Sequence, residues 1–159
     1  MRKTRLAVRN PREGRIAELA ARTSHKTLAT WALDCAERTL PHFEDKHPED
    51  PRPRAAIEAG RAWVRTGVFR MADIRKASLA AHSAARDIED DDAARAAARA
   101  AGQAVATAHV PSHALAAAAY AATAVRDSAN PADAEHATSE EREWQLQHLI
   151  DMGAKAGKV

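Results

Sequence analysis

Apolar side chains recur along this chain at intervals of three and four, the spacing of one helix face, and no stretch alternates as a half-buried strand would. Asn10 is placed to cap a helix that starts at Pro11 and runs to about Arg22 on Ile16, Leu19 and Ala20. Ser24 caps the next one, which turns Leu28, Trp31, Ala32, Cys35, Leu40 and Phe43 inward and Asp34, Glu37, Arg38 and Glu44 outward. Pro41 falls inside that pattern and, lacking a backbone donor, kinks or splits the helix. The proline-punctuated segment 47–53 reads as a loop. A helix from about Pro53 to Thr66 then ends at Gly67, a left-handed cap, with Ala55, Ala59, Ala62 and Trp63 toward the core and Ile57 and Val64 flanking. Its charged row is Arg54, Glu58, Arg61 and Arg65.

The following helix, about Met71 to Ile88, carries Ile74, Ala77, Ala81 and Ala85 on one stripe. An acidic turn, Glu89 to Asp92, precedes a helix over Ala93 to Ala108, and carboxylates suit that helix's positive end; no calcium-loop pattern follows it. Arg95, Arg99 and Gln103 form the wet side of this helix. Val110-Pro111-Ser112 breaks it from a second alanine-rich arm running to about Arg126 on Leu115, Ala118, Ala122 and Val125. After Asn130-Pro131 a last helix starts near Ser139, its apolar side made by Trp144, Leu146, Leu149, Ile150 and Met152. The expectation is an all-α fold: a single-domain antiparallel array of about six to seven helices over residues 11–155, behind a basic N-terminal arm at 1–10.

Composition sharpens this picture. About a quarter of the residues are alanine, the strongest helix former, and aromatics are only 4%. Helices this bare bury their faces only by approaching one another closely. The net charge of +2 does not by itself imply a nucleic-acid partner, although Arg2, Lys3, Arg5, Arg9, Arg12 and Arg15 crowd the start of the chain. The single cysteine, Cys35, reads as a buried, inert thiol and fits a reducing cytoplasm. The run Ala114 to Val125 is too short to span a bilayer.

Three constellations carry candidate chemistry. His109 and His113 have zinc-pair spacing, and with His82 or Asp34 a metal site is conceivable. Pro111 between them argues instead for histidines that satisfy carbonyls freed at the break. His82 and Arg86, one turn apart, make an anion pocket with Arg54 and Arg61, or else an ion-pair network anchored by Asp34, Glu37 or Glu58. A buried hydrogen-bond partner at His109 or Arg61 predicts a clear loss of thermal stability on truncation to alanine. No nucleophile triad, glycine-rich phosphate loop or CxxC is present.

The segments WALDCAERTLPHFE (31–44), DPRPRAAIEAGRAWVRTG (50–67), AAHSAAR (80–86) and RAAGQAVATAHVPSHALAAAAYA (99–121) resemble, in order and spacing, the bacterial immunity-protein-five-like family of polymorphic toxin systems. The resemblance covers about residues 26–126; Ser83 stands where relatives often carry alanine. It implies an all-α, non-enzymatic, cytoplasmic protein whose partner is a cognate toxin, with no cofactor, no membrane and no expected nucleic acid. The family's polar positions fall on Asp34, Glu37, Arg54, Glu58, Arg61, His82, Arg86, His109 and His113, which suggests one inter-helical polar cluster. The docking face is then the Arg54–Arg65 row, the loop 47–53 or the acidic turn 89–92. The alternative is a small metal- or anion-binding protein or enzyme using His82, His109 and His113.

Overall fold

The computed structural model describes residues 11–156, and every regular element among them is an α-helix. The basic arm at 1–10, with Asn10 as a cap, lies outside the described residues. The order is α1 (Pro11–Ala20), α2 (His25–Thr39), α3 (Pro41–Glu44), α4 (Arg52–Thr66), α5 (Met71–Arg86), α6 (Asp92–Ala106), α7 (His113–Ser128) and α8 (Ala134–Ala156). Seven of these have ten residues or more and α3 is a single turn, the helical array expected from periodicity.

The local signals act where the sequence places them. The Ser24 hydroxyl accepts the Thr27 N–H at the start of α2. Pro41 ends α2 and opens α3 as a separate turn. Gly67 closes α4 at φ 70°, a backbone conformation that disfavours any side chain with a Cβ. Asp91 caps α6 by accepting the Ala94 N–H at 2.9 Å. Between α6 and α7 the chain turns through 107–112, so no continuous helix joins His109 to His113.

The core forms around α6, which packs against α2, α3, α4, α5 and α7. Ten of its side chains are buried, all alanine, glycine or valine, because only small residues let so many helices close in on one. Arg95, Arg99 and Gln103 are its half-exposed strip, as the sequence predicts. The bulk comes from α2 and α3, whose Trp31, Leu33, Leu40 and Phe43 are fully enclosed. Trp31 Nε1 donates to the Gln145 carbonyl at 2.8 Å, joining α2 to α8. The His25 ring bonds the Thr107 carbonyl at 2.5 Å and ties the start of α2 to the end of α6.

Three expectations need correction. The buried face of α4 is Pro53, Ala56, Ile57, Gly60 and Trp63, while Ala55 is exposed and Ala59 and Ala62 are half-buried. Gly60 decides this rotation: a Cβ there would stand 2.6 Å from Leu33 Cδ2, so α4 meets α2 on its glycine face. Helix α8 starts at Ala134, not Ser139, because the Asn130-Pro131 turn leads directly into a run of helix formers. The inner side of α8 is also more polar than its sequence suggests. Gln145, Arg142 and Glu141 are buried there beside Leu146 and Leu149, and Ile150 is exposed. No helix among the described residues is long and apolar enough to cross a membrane.

Candidate functional site

The nine polar positions separate into two groups, with Glu58 and His109 apart from both. The first lies along α2. Asp34, Glu37 and Arg38 follow each other at helical spacing and form a half-exposed strip flanked by α4 and α8. From one side Arg54 donates to Glu37 at 2.8 Å and to Glu44 at 2.6 Å, and Arg61 donates to Asp34 at 2.9 Å and to Glu37 at 2.7 Å. From the other side His148 Nε2 meets the second Asp34 oxygen at 2.8 Å. The His148 ring stacks on Trp144 at 4.8 Å, the Arg38 guanidinium lies 4.3 Å over that indole, and Arg38 bonds Glu141 at 3.0 Å. The ladder sets the register of three helices, and its charges answer one another. Being half-exposed, each pair contributes little to stability on its own.

Behind the ladder, burial pushes the Cys35 thiol well up, with Glu141 and Asp34 adding to the effect, so a reactive thiolate does not form. Arg142 bonds Glu13 at 3.1 Å and the Gln145 side-chain oxygen at 3.0 Å, which holds α1 against α8. Its burial works against the charge. Sequence reasoning missed His148, Trp144, Glu141 and Arg142. The available signal was their three- and four-residue spacing on one helix, obscured by the apolar residues interleaved with them.

The second group gathers His82 and Arg86 from α5, Arg99 and Gln103 from α6, and His113 from α7. Arg99 donates to His82 Nδ1 at 3.4 Å, which makes Nδ1 the acceptor and leaves the proton on Nε2. That edge lies over Gly102, where a Cβ would stand 2.8 Å from Nε2. His113 Nδ1 meets the Gln103 side-chain oxygen at 2.7 Å, and the Ser78 hydroxyl donates to the Gly102 carbonyl. Burial, then Arg99, Arg86 and His113, hold the His82 ring down at about 4.

That depression has a pH consequence. Below the ordinary histidine range the unfolded chain takes up a proton that the folded ring refuses, so stability is full above about pH 6.5 and declines as the pH falls toward 4. The wild type is expected to lose more melting temperature than His82→Gln between pH 7.5 and pH 5, as followed by circular dichroism. Equal losses would show that His82 does not set the slope.

Glu58 is exposed on α4 and makes no ion pair among the described residues. His109 is exposed too, and its ring stacks on Phe69 at 6.2 Å. His109→Ala should therefore leave thermal stability within about 0.5 kcal/mol of wild type, contrary to the expectation of a buried partner there. A larger loss in a chemical melt would contradict this placement. Among the described residues no three His, Cys, Asp or Glu side chains stand together as metal ligands, so His82, His109 and His113 do not converge on one ion.

A groove of about 300 Å³ opens between α5 and α6, lined by Met71, Ile74, Arg75, Ser78, Leu79, Ala106 and His109. Its rim is apolar and open to solvent: Met71 and Leu79 are 43% and 54% exposed, and Val68 and Phe69 just before α5 are exposed as well.

A family model described as Imm-5 like putative immunity protein matches residues 18–152. The chain belongs to this family. The match takes in α2 through α7 and nearly all of α8, so it includes both polar groups and the groove of this Imm-5-like chain. No curated protein and no solved structure matches it.

Proposed function

We propose that this Imm-5-like protein neutralises a cognate bacterial toxin by binding it directly, without catalysis, in the cytoplasm. Family membership supports the general kind of role. The observation that carries the binding reading is the apolar corner of Val68, Phe69, Met71 and Leu79 beside the α5–α6 groove. Apolar surface gathered in this way marks protein interaction sites.

The three faces suggested by sequence are less suited to docking. Arg54 and Arg61 in the charged row are engaged by the α2 and α3 carboxylates. Lys46 bonds Asp91 at 2.5 Å, and Arg52 joins Asp50 to Asp87, so the proline loop and the acidic turn are stitched to their own surroundings. A partner at those faces would have to displace existing ion pairs, whereas the groove offers apolar surface whose one ring contact among the described residues is Phe69 on His109.

The test is a tagged pull-down from the native cell, followed by expression of the co-eluting protein alone and together with this chain. Growth arrest by the partner alone, relieved on co-expression, is the expected result. Leu79→Glu, at an exposed position, should then weaken the complex by about tenfold or more with unchanged melting. A partner that is harmless, or a full equivalent of bound metal with no partner, would overturn the reading.

A further inference from the structure

Farther along α5, one to two turns beyond Leu79, the surface changes character. From Ala93 to Arg126 the chain contains no aspartate or glutamate, and neither does α5 from Ile74 to Arg86. Arg99 bonds the His82 ring and Arg86 lies one turn along α5 from it, and neither makes an ion pair among the described residues. Among the described residues Arg99 has only the His82 nitrogen as a hydrogen-bond partner, and the Asp87 next to Arg86 pairs with Arg52 instead. The contrast lies within the same molecule. Along α2 each inward-reaching arginine finds two carboxylates, as Arg54 and Arg61 show. Two cations beside one ring, without an ion pair of their own among the described residues, suit an outside carboxylate, which they would hold by charge-assisted hydrogen bonds.

Arg99 is also oriented. The His82 ring is clamped between its contact with Arg99 and the bare face of Gly102, so the guanidinium is held with donors left over. Since the ring stays unprotonated down to about 4, it serves as an acceptor for Arg99 at neutral pH and adds no competing charge.

We propose that Arg86 and Arg99, the latter positioned by His82, receive a side-chain carboxylate of the partner toxin, while the adjoining Met71–Leu79 groove takes an apolar side chain of the same segment. The occupant is thus an acidic, amphipathic protein segment. Charge complementarity favours it: Arg75, Arg86 and Arg99 lie near the groove with Asp73 as the one acid of α5, and of the acidic stretch 87–92 that follows, Asp87, Asp91 and Asp92 are already paired with Arg52, Lys46 and Arg95. This deepens the toxin-binding reading and rests on it for the identity of the occupant.

The measurement needs no toxin. Histidine ring signals of the intact protein are followed by NMR at pH 7 and constant ionic strength, while acetate, a capped tetraglutamate peptide, inorganic phosphate or a short single-stranded oligonucleotide is added. Acetate and the peptide should shift His82 and His113 saturably and competitively and leave His136, which is exposed on α8, unmoved. Arg86→Gln should weaken this binding by at least about fivefold, the loss of one charge-assisted hydrogen bond, with the melting curve unchanged. Arg99→Gln should abolish it. Absence of a saturable shift, or a shift indifferent to both substitutions, overturns the site. Saturation by phosphate or the oligonucleotide but by neither carboxylate overturns the assignment in favour of a phosphate ligand. No carboxylate binding here together with growth arrest relieved on co-expression would overturn this site and leave toxin binding standing at another face, so the two readings fall separately.

Discussion

Trp31→Ala is expected to lower stability by about 3–5 kcal/mol and the melting temperature by on the order of 10 °C. The indole is completely enclosed on α2, in a core whose other contacts come largely from alanines that cannot swing into a void. The substitution leaves a cavity and also removes the donor to the Gln145 carbonyl. Trp31→Phe weights these effects differently, since it loses the donor but keeps most of the apolar body; it should cost about 1–2 kcal/mol. Urea melts of the two variants check the ranking. If the phenylalanine variant matched the alanine one, the hydrogen bond and not the packing would dominate.

Gln145→Leu should cost about 2–4 kcal/mol even though it places an apolar side chain of similar size in a buried position. The Gln145 side chain is fully buried and works at both ends. Its amide nitrogen donates to the Ala118 carbonyl at 2.9 Å, and its oxygen accepts from Arg142 at 3.0 Å. Leucine leaves a buried guanidinium with one acceptor fewer and a carbonyl of α7 without this donor. Local loosening should also appear as faster labelling of Cys35, which lies under Arg142 and Glu141. Trp31 and Gln145 touch, so the double variant should depart from the sum of the singles by more than about 0.5 kcal/mol. Additive losses, or a stabilised leucine variant, would show that the polar junction is dispensable.

The helices were legible because periodicity and local stereochemistry act within one turn of chain. Ser24, Pro41, Gly67 and Asp91 each begin or end a helix through their own backbone or side-chain chemistry, independently of what packs above them. The inward face of α2 was legible for a related reason: its large apolar residues are few and lie on one side. On α4 the same reasoning pointed to the wrong stripe. Ala55, Ala59 and Ala62 compete with Ala56, Ile57 and Gly60, and alanines carry too little hydrophobic contrast to choose between faces. The close approach to Leu33 made the choice, and it depends on two helices at once.

Of the candidate site, residue types were legible and grouping was not. Asp34, Glu37, Arg54 and Arg61 do form an inter-helical network, with Glu44 and His148 completing it. His82, Arg86 and His113 lie in a different place because α5 packs on α6, whose Arg99 and Gln103 face them. His109, next to the break, is held at the surface by the turn. Charge sign and helical spacing are properties of one segment, whereas which acid meets which arginine is a property of helix neighbours.

The sequence by itself determined that the regular elements of the described residues are helices, where most of them begin and end, and which family the chain belongs to. Propensity, capping and motif order are written along the chain, and α8 departed from them only at its first turn. The tertiary structure alone decided that Arg54 and Arg61 are paired with carboxylates while Arg86 and Arg99 make no ion pair among the described residues, and that Phe69, Met71 and Leu79 remain in solvent beside a groove. The physical reason is that both outcomes depend on distances between segments far apart in the chain, and in an alanine-rich array those distances are set by close helix contacts that no single stretch specifies.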